Sequence, residues 1–262
     1  MDEIEFIIVS LPDAKERRAN IEKTMASSPY KWRFFDALGP DDIQLPYNPE
    51  EALLRRGYKL SKGELGCFAS HYACLNDHAS GLNGTAEYIL IMEDDVVIDP
   101  KFDFHALPAM TKKLDIHYLK LFSRYICRAK FLGALSENRR LFRFASPSFG
   151  TQAYLVSRKG AQAFVGAIKK IVRPIDDEME RFWVTGLPLY ALYPYPVMEI
   201  NHPTTITKGK YKFSPLTTKQ KIFSFIFRAR EKLHKETRNF IRFAHDRAMR
   251  KNLNASGLYT GP

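Results

Sequence analysis

Residues 88–96 read YILIMEDDV, a stretch in which five apolar residues run directly into the carboxylates of Glu93, Asp94 and Asp95. A continuous apolar run is typical of a buried strand in an α/β sheet. Ligands of such sheets bind beyond the carboxyl ends of the strands, which is where this acidic cluster would lie. The stretch therefore predicts an α/β fold with a ligand site at one edge of its sheet.

Three adjacent carboxylates at such an edge repel one another and lose hydration, so a cation is their natural compensation. Oxygen ligands favour Mg²⁺ or Mn²⁺, which one or two carboxylates hold and which substrate phosphates complete. The alternative is an acidic turn that caps the next segment. The short motif alone does not separate these two interpretations.

Strand and helix patterns alternate on both sides of this stretch. Strand candidates are residues 4–11, 32–37, 118–122 and 153–157, a weaker zone at 131–145 and a proline-rich edge strand at 187–197. Helix candidates follow Pro12 and cover 158–172 and 174–179, and another opens at the capping-box sequence of residues 61–64. Alternating strands and helices predict an α/β sandwich around a mixed, largely parallel sheet.

The positive charge of the chain is concentrated near its C-terminal end. The 262 residues carry a formal net charge of +11, yet residues 1–206 hold equal numbers of basic and acidic side chains. Residues 207–251 hold fourteen Lys and Arg against three acids, Glu231, Glu236 and Asp246. This asymmetry predicts an anionic partner for the C-terminal segment, while the body carries no net charge.

From Thr217 the sequence predicts a basic amphipathic helix, with apolar residues such as Ile222, Ile226 and Leu233 at helical spacing. Such a helix can lie in an anionic membrane interface, and we expect residues 217–251 to do so. Two alternatives are a helix packed on the body and a nucleic-acid-binding tail. We expect no nucleic acid, because the segment has more Phe and Ile than a phosphate-binding arm needs.

No apolar run is long enough to span a membrane, and residues 1–4 lead into a strand without a signal-peptide pattern. The three cysteines, Cys67, Cys74 and Cys127, are odd in number and lack metal-ligand spacing. We therefore expect reduced thiols in a cytoplasmic protein.

Several landmarks occur in one order along the chain. They are Ile8-Val9-Ser10-Leu11 with Arg17, then residues 35–37, 63–71 (GELGCFASH), 91–96 (IMEDDV), 150–157 (GTQAYLVS) and Pro174-Ile175-Asp176. In this order the chain resembles glycosyltransferase family 25, the bacterial lipopolysaccharide and lipooligosaccharide galactosyltransferases. The resemblance covers about residues 4–206 and departs from the family at Ser10, where Asn is usual.

The resemblance implies a GT-A-type nucleotide-sugar-binding fold in residues 1–206, with residues 207–262 as the basic amphipathic segment. It implies transfer of a hexose, galactose being the usual one, from a UDP-sugar with inversion at the anomeric carbon. A glucosyltransferase of the same family, a phosphotransferase using the same carboxylates and a catalytically silent saccharide-binding module are the alternatives.

The resemblance also implies roles for individual residues. Asp95 would bind Mn²⁺ or Mg²⁺ directly, and Glu93 and His202 are further metal-ligand candidates. Contacts to the UDP-sugar are expected from Ser10, Leu11, Arg17, Glu64, His71, Glu93, Asp94, Gly150 and Thr151. Competing interpretations are a surface position for Arg17, a helix cap for Glu64 and a hydrogen-bonded core position for His71.

An inverting transfer needs a base that takes the proton of the acceptor hydroxyl. Asp176 matches the family's Pro-x-Asp position, and the adjacent Asp177 is the second candidate. The structural alternative is that both acids stabilise the first turn of a helix through its macrodipole. With a lipooligosaccharide-core acceptor, the expected location is the cytoplasmic face of the bacterial inner membrane, where the C-terminal segment would hold the enzyme near its acceptor.

Overall fold

The computed structural model describes residues 3–26, 28–82, 84–136, 138–200 and 216–255. Its strands are β1 (Ile4–Ser10), β2 (Trp32–Asp36), β3 (Tyr88–Glu93), β4 (Val96–Ile98), β5 (Tyr118–Lys120), β6 (Ala129–Ser136), β7 (Arg139–Phe144), β8 (Ala153–Ser157), β9 (Leu189–Tyr193) and β10 (Val197–Glu199). Its helices are α1 (Lys15–Met25), α2 (Pro49–Arg56), α3 (Lys62–Ser80), α4 (Ala106–Lys113), α5 (Arg158–Ala167), α6 (Ile175–Met179), α7 (Phe182–Thr185) and α8 (Thr218–Ala255).

Eight of these strands form one sheet in the order β2-β1-β3-β8-β5-β9-β7-β6. The pairings give six strands the same direction, while β7 and β8 run the opposite way. Strands β4 and β10 form a separate antiparallel ribbon. The predicted α/β architecture around a mixed, largely parallel sheet is confirmed.

Both faces of the sheet are covered, as its continuous apolar strands require. Phe6 and Ile8 pack into the core on one face, whereas Ile7 and Val9 pack into the core on the other. This division follows from the strand, since successive side chains point to opposite faces. The two strands that lead to the acidic cluster, β1 and β3, are therefore buried on both faces.

The register of the sheet brings three chain segments to one edge. Val9 of β1 pairs with Glu93 of β3, so Ser10 and Asp94 follow at the same level. Met92 pairs with Ala153 of β8, and Glu93 N donates to Gln152 O at 3.0 Å. Residues from β1, β3 and the approach to β8 thus meet where the YILIMEDDV stretch ends.

Helix α3 begins at the predicted capping box. Ser61 Oγ accepts from Glu64 N at 3.2 Å, and Glu64 Oε2 accepts from Ser61 N at 2.8 Å. Gly66 lies against the backbone of the neighbouring segment, because a Cβ there would stand 2.9 Å from Leu38 O. Only glycine permits this close approach, which brings the start of α3 against the loop that follows β2.

Two predicted elements differ from the structure. The expected edge strand at 187–197 is instead the internal strand β9, between β5 and β7, followed by β10. Its prolines lie outside β9, so the strand keeps all its backbone donors. The helix expected to reach residue 172 ends at Ala167, because Ile168 has an extended conformation with ψ 110°.

Helix α8 packs on the body through a mostly polar side. The side chains that face the body recur every three or four residues and are Ser224, Phe227, Glu231, Lys235, Asn239, Arg242, Asp246, Met249 and Leu253. The buried guanidinium of Arg143 donates to both carboxylate oxygens of Asp246, at 2.7 and 2.8 Å. Packing on the body, one of the alternatives left open by the sequence, is therefore correct for this side.

All three acids of the segment pair with arginines of the body. Besides Asp246, Glu231 contacts Arg173 at 2.9 Å, and Glu236 contacts Arg128 at 2.7 Å. The opposite side of α8 is apolar and open to solvent. Its residues are between 55% and 83% exposed and are Ile222, Phe223, Phe225, Ile226, Leu233, Phe240, Ile241 and Phe243. Within the described residues, no helix has the length and apolar character needed to cross a bilayer.

Candidate active site

A cleft of about 320 Å³ opens at the carboxyl ends of β1 and β3. Its walls are the turn after β1, the loop after β2 and the first three turns of α3. Among its lining residues are Ser10, Leu11, Arg17, Gly39, Lys62, Cys67, His71, Glu93 and Asp94. Six of the predicted site residues therefore line one cleft. The strand order of the sheet and the capped start of α3 bring these residues together.

Asp94 is buried and fully engaged by the first strand and helix. Ser10 Oγ donates to Asp94 Oδ2 at 2.6 Å, and Arg17 Nη1 lies 2.8 Å from Asp94 Oδ1. Burial raises the pKa of Asp94, while the hydrogen bond from Ser10 and the charge of Arg17 limit the rise. Asp94 therefore anchors Arg17 at the cleft rather than offering a free ligand.

Arg18 holds the same turn and was not singled out from the sequence. Its Nη2 donates to Ser10 O at 3.0 Å, its Nε donates to Leu11 O at 3.1 Å, and it pairs with Asp36. The guanidinium also lies over the Phe34 ring. The sequence signal was the Arg17-Arg18 pair, but the spacing alone does not tell which arginine faces the cleft.

Glu93 ends β3 with its carboxylate toward the cleft. Thr151 Oγ1 donates to Glu93 Oε1 at 2.6 Å, and His71 Nε2 lies 3.6 Å from the same oxygen. Burial acts to raise the pKa of Glu93, but the imidazole of His71 and the bond from Thr151 outweigh it and hold the pKa below its usual value.

Asp95 differs from its two neighbours, because its buried Oδ1 has no hydrogen-bond partner. Burial, followed by the charges of Glu93, Glu199 and Asp94, raises the pKa of Asp95 to about 7. A buried carboxylate oxygen without a partner costs free energy unless a cation or proton satisfies it. The oxygen donors and the uncompensated charge fit a hard divalent cation.

Glu199, at the end of β10, is a further carboxylate that faces this cluster. Its Oε1 accepts from Gln152 Nε2 at 3.1 Å and from Arg124 Nη2 at 2.8 Å. The ribbon brings it there, since Ile200 N donates to Asp95 O at 2.7 Å. Nothing in the local sequence predicts this contact across a hundred residues. The predicted ligand His202 is outside the described residues.

The two base candidates have different surroundings. Asp176 Oδ2 accepts from Gly150 N at 3.0 Å, so this half-buried carboxylate lies beside the residue that precedes Thr151. Asp177 is buried and contacts Arg56 at 3.1 Å and Arg173 at 3.4 Å. Burial raises the pKa of Asp177 despite these two charges. The geometry favours Asp176 over Asp177 for contact with a ligand.

The loop that carries Gly150 and Thr151 is held by a buried ion pair that the sequence did not reveal. Lys120 and Glu180 are fully buried and contact each other. Lys120 Nζ donates to Phe149 O at 2.9 Å and to Gly150 O at 3.1 Å, while Glu180 Oε2 accepts from Phe149 N at 2.9 Å. The loop needs this support because Phe149 has a φ of 60°, in the left-handed region.

The remaining predicted residues have mainly structural contacts. Glu64 is buried at the capping box and also accepts from the Tyr58 hydroxyl at 3.2 Å. His71 is buried, and its Nδ1 lies 2.9 Å from the Tyr154 hydroxyl. Its other nitrogen, Nε2, faces the cleft. His71 is therefore both a hydrogen-bonded core residue and a residue that lines the site.

Comparison with known proteins gives a family match over most of the chain. The family model described as glycosyltransferase family 25 (LPS biosynthesis protein) matches residues 3–179. A Haemophilus influenzae protein whose name assigns it only to the glycosyltransferases is 30% identical over 171 residues, covering 64% of this chain and 58% of that protein. The match thus spans less than two thirds of this relative.

The lacto-N-neotetraose biosynthesis glycosyltransferase LgtE of Neisseria meningitidis is 29% identical over 206 residues, with 71% of each chain covered. Among solved structures, a Drosophila β-1,4-galactosyltransferase 7 variant in complex with manganese, UDP-Gal and xylobiose has a TM-score of 0.39 at 8% identity, covering 84% of this chain and 79% of the other. The expected GT-A-type α/β fold accords with the family match and the sheet described above.

Proposed function

This chain belongs to glycosyltransferase family 25, and we propose that it transfers a hexose from a UDP-sugar to a lipooligosaccharide or lipopolysaccharide core acceptor. Galactose, transferred with inversion to a β-linkage, is the sugar we propose, since the residues shared with the family carry that expectation. The observation that supports the proposal most directly is the partnerless buried oxygen of Asp95 beside Glu93 and Glu199.

The cleft has the size and charge expected for a nucleoside diphosphate sugar. Its volume of about 320 Å³ lies at the lower end of the range of ligand pockets. Arg17, fixed by Asp94, and Lys62, at the start of α3, place positive charge on its walls. The turn at Ser10 and Leu11 is held rigid by Arg18, so its backbone can orient a nucleoside without rearranging.

Asp95 would hold the divalent cation. Glu93 and Glu199 are the neighbouring carboxylates whose negative charges act most strongly on Asp95. A bound Mn²⁺ or Mg²⁺ would supply positive charge against the negative charge that develops on the departing diphosphate. Among the described residues this donor set is oxygen only, which is the set these ions prefer. Thr151 keeps Glu93 oriented toward this position through its hydrogen bond.

Asp176 is the base we propose. Both of its oxygens accept backbone N–H groups, from Gly150 at 3.0 Å and from Asp177 at 2.7 Å, which fixes the direction of the carboxylate. A base with a fixed direction can take the proton of an acceptor hydroxyl that attacks from the face opposite the diphosphate. Asp177, held by two arginines, is the weaker candidate.

The exposed apolar side of α8 supports attachment to an anionic membrane surface. Most of its Phe, Ile and Leu side chains point away from the body, although the Phe243 ring lies against Lys130, and the segment's acids are paired on the other side. Each Lys or Arg near anionic lipid contributes about 1 kcal/mol. We propose that this side rests on the cytoplasmic face of the inner membrane, close to a lipid-anchored acceptor.

The test measures UDP release by the full chain from UDP-galactose and UDP-glucose, with a lipooligosaccharide acceptor and with Mn²⁺, Mg²⁺ or a chelator. We expect metal-dependent release, lowered at least about 100-fold by Asp95→Asn. Asp103→Asn, at an exposed acid outside the cleft, is the matched control. Full turnover by the Asp95 variant would contradict the metal role, and binding without any turnover would indicate a silent saccharide-binding module.

A further inference from the structure

Cys67, His71 and Glu93 form a second group of potential metal ligands in the cleft, and the sequence did not bring them together. One ligand atom from each lies within 4.8 Å of the other two. Cys67 and His71 are four residues apart on α3, which puts them on one face of that helix. Glu93 comes from the end of β3, so helix and strand must both fold to assemble the group.

The imidazole of His71 is oriented toward this group by a partner on its far side. The side chain is 1% exposed, and its Nδ1 lies 2.9 Å from the Tyr154 hydroxyl. Its Nε2 is buried without a hydrogen bond and lies 3.6 Å from Glu93 Oε1. A histidine held at one nitrogen, with the other nitrogen free toward sulfur and oxygen donors, has the arrangement of a metal ligand.

We propose that Cys67, His71 and Glu93 bind Zn²⁺ or a similar borderline transition-metal ion. Sulfur, imidazole nitrogen and carboxylate oxygen are the three donor types that zinc takes in proteins. Three protein ligands leave a fourth tetrahedral position for another ligand, and all three residues line the cleft. On binding, the Cys67 S–H bond breaks, a metal–sulfur bond forms, and the proton passes to solvent.

The group differs in chemistry from the carboxylates around Asp95. Mg²⁺ and Mn²⁺ prefer oxygen, whereas a thiolate and an imidazole select softer ions. Glu93 is common to both sets, and Thr151 donates to only one of its two oxygens. The two sets of ligands therefore bind different ions, and an ion bound at Cys67 competes for Glu93 with an ion bound at Asp95.

The inference does not rest on the proposed sugar transfer, because metal binding is measured without donor or acceptor. The metal-stripped full chain is titrated with Co²⁺ and then with Zn²⁺. We expect one cobalt ion per chain with a thiolate-to-cobalt charge-transfer absorption, which Zn²⁺ abolishes by displacement. Cobalt binding without that absorption would overturn the proposal.

Two variants locate the site. Cys67→Ser should remove the absorption and weaken zinc binding more than about 100-fold, whereas Cys127→Ser, at the other half-buried thiol, should change neither. Tyr154→Phe should weaken zinc about 10- to 100-fold, the effect of losing an outer-shell partner of a histidine ligand. Unchanged zinc affinity in the Cys67 variant would place the ion elsewhere.

Alkylation of the unaltered chain gives a measurement that does not depend on a variant's folding. Saturating Zn²⁺ should slow the reaction of Cys67 with iodoacetamide at least about tenfold and leave the reaction of Cys127 unchanged. Equal protection of both thiols, or no protection of Cys67, would contradict the assignment. Mn²⁺ and Mg²⁺ at the same concentration should protect neither thiol.

Discussion

Glu93 and Asp176 are held by consecutive residues of one loop: Thr151 Oγ1 donates to Glu93 at 2.6 Å, and Gly150 N donates to Asp176 at 3.0 Å. The carboxylate at the end of β3 and the carboxylate at the start of α6 are thus both positioned by this loop. A shift of the loop would move both of them, and we assign Glu93 to the metal site and Asp176 to the base.

Thr151→Val should lower transfer with little loss of fold, because the side chain keeps its shape and loses only the hydroxyl. A hydrogen bond to a charged group contributes about 1.5–3 kcal/mol. We therefore expect kcat/KM to fall about 10- to 100-fold in steady-state assays. Thr151→Ser, which keeps the donor, should stay close to the unaltered enzyme, and equal losses in both variants would contradict the assigned hydrogen bond.

Lys120→Met should destabilise the fold by about 3–5 kcal/mol, since it leaves the buried carboxylate of Glu180 without its partner. Urea unfolding measures this free energy. Lys59→Met, at an exposed pair with Glu50, is the control and should leave the free energy of unfolding nearly unchanged.

The same Lys120 variant should also transfer more slowly where it remains folded, because Lys120 Nζ no longer holds Phe149 O and Gly150 O. Its effect on kcat is the informative readout, as a role confined to stability would leave the turnover of the folded fraction unchanged. A normal kcat in folded protein would show that the loop keeps its conformation without this pair.

His78 predicts acid sensitivity of the fold. Burial and the charge of Arg158 lower its pKa to about 4 from an unperturbed value near 6.5. In this window the unfolded chain binds a proton and the folded chain does not, so stability is lost as the pH falls from about 6.5 to about 4. The loss amounts to about 3 kcal/mol, since each unit of pKa difference corresponds to about 1.4 kcal/mol. His78→Gln should flatten the pH dependence of unfolding by that amount, and parallel curves would contradict the assignment.

Leu233→Glu combined with Phe240→Glu should release the protein from anionic vesicles in a flotation assay. Both side chains are exposed, so the fold should be unaffected, as should transfer to a soluble acceptor. Leu82→Glu, at an exposed leucine in another part of the surface, should leave vesicle binding unchanged. Point variants are preferable to a truncation, because removing α8 would also remove Asp246, the ion-pair partner of Arg143 in the body.

The sequence predicted those parts of the site that depend on local pattern. The YILIMEDDV stretch became β3 and its acidic end, and Ser61 and Glu64 formed the predicted cap. Glu199 and the Lys120–Glu180 pair were not predicted, since each depends on a contact between distant segments. The side of α8 that packs was also not evident, because most of its large apolar residues, usually a sign of the buried face, are exposed, whereas the packed side is mostly polar.

That arrangement of α8 has a geometric consequence. Arginines of the body clamp Glu231, Glu236 and Asp246 before any lipid is met, so the roll angle of the helix is already set. When the Phe and Ile residues of α8 rest on a membrane surface, the cleft therefore lies at a fixed distance and tilt from that surface. The distance from the membrane at which an acceptor is bound would then be set by the folded chain, and not by the length of the acceptor glycan.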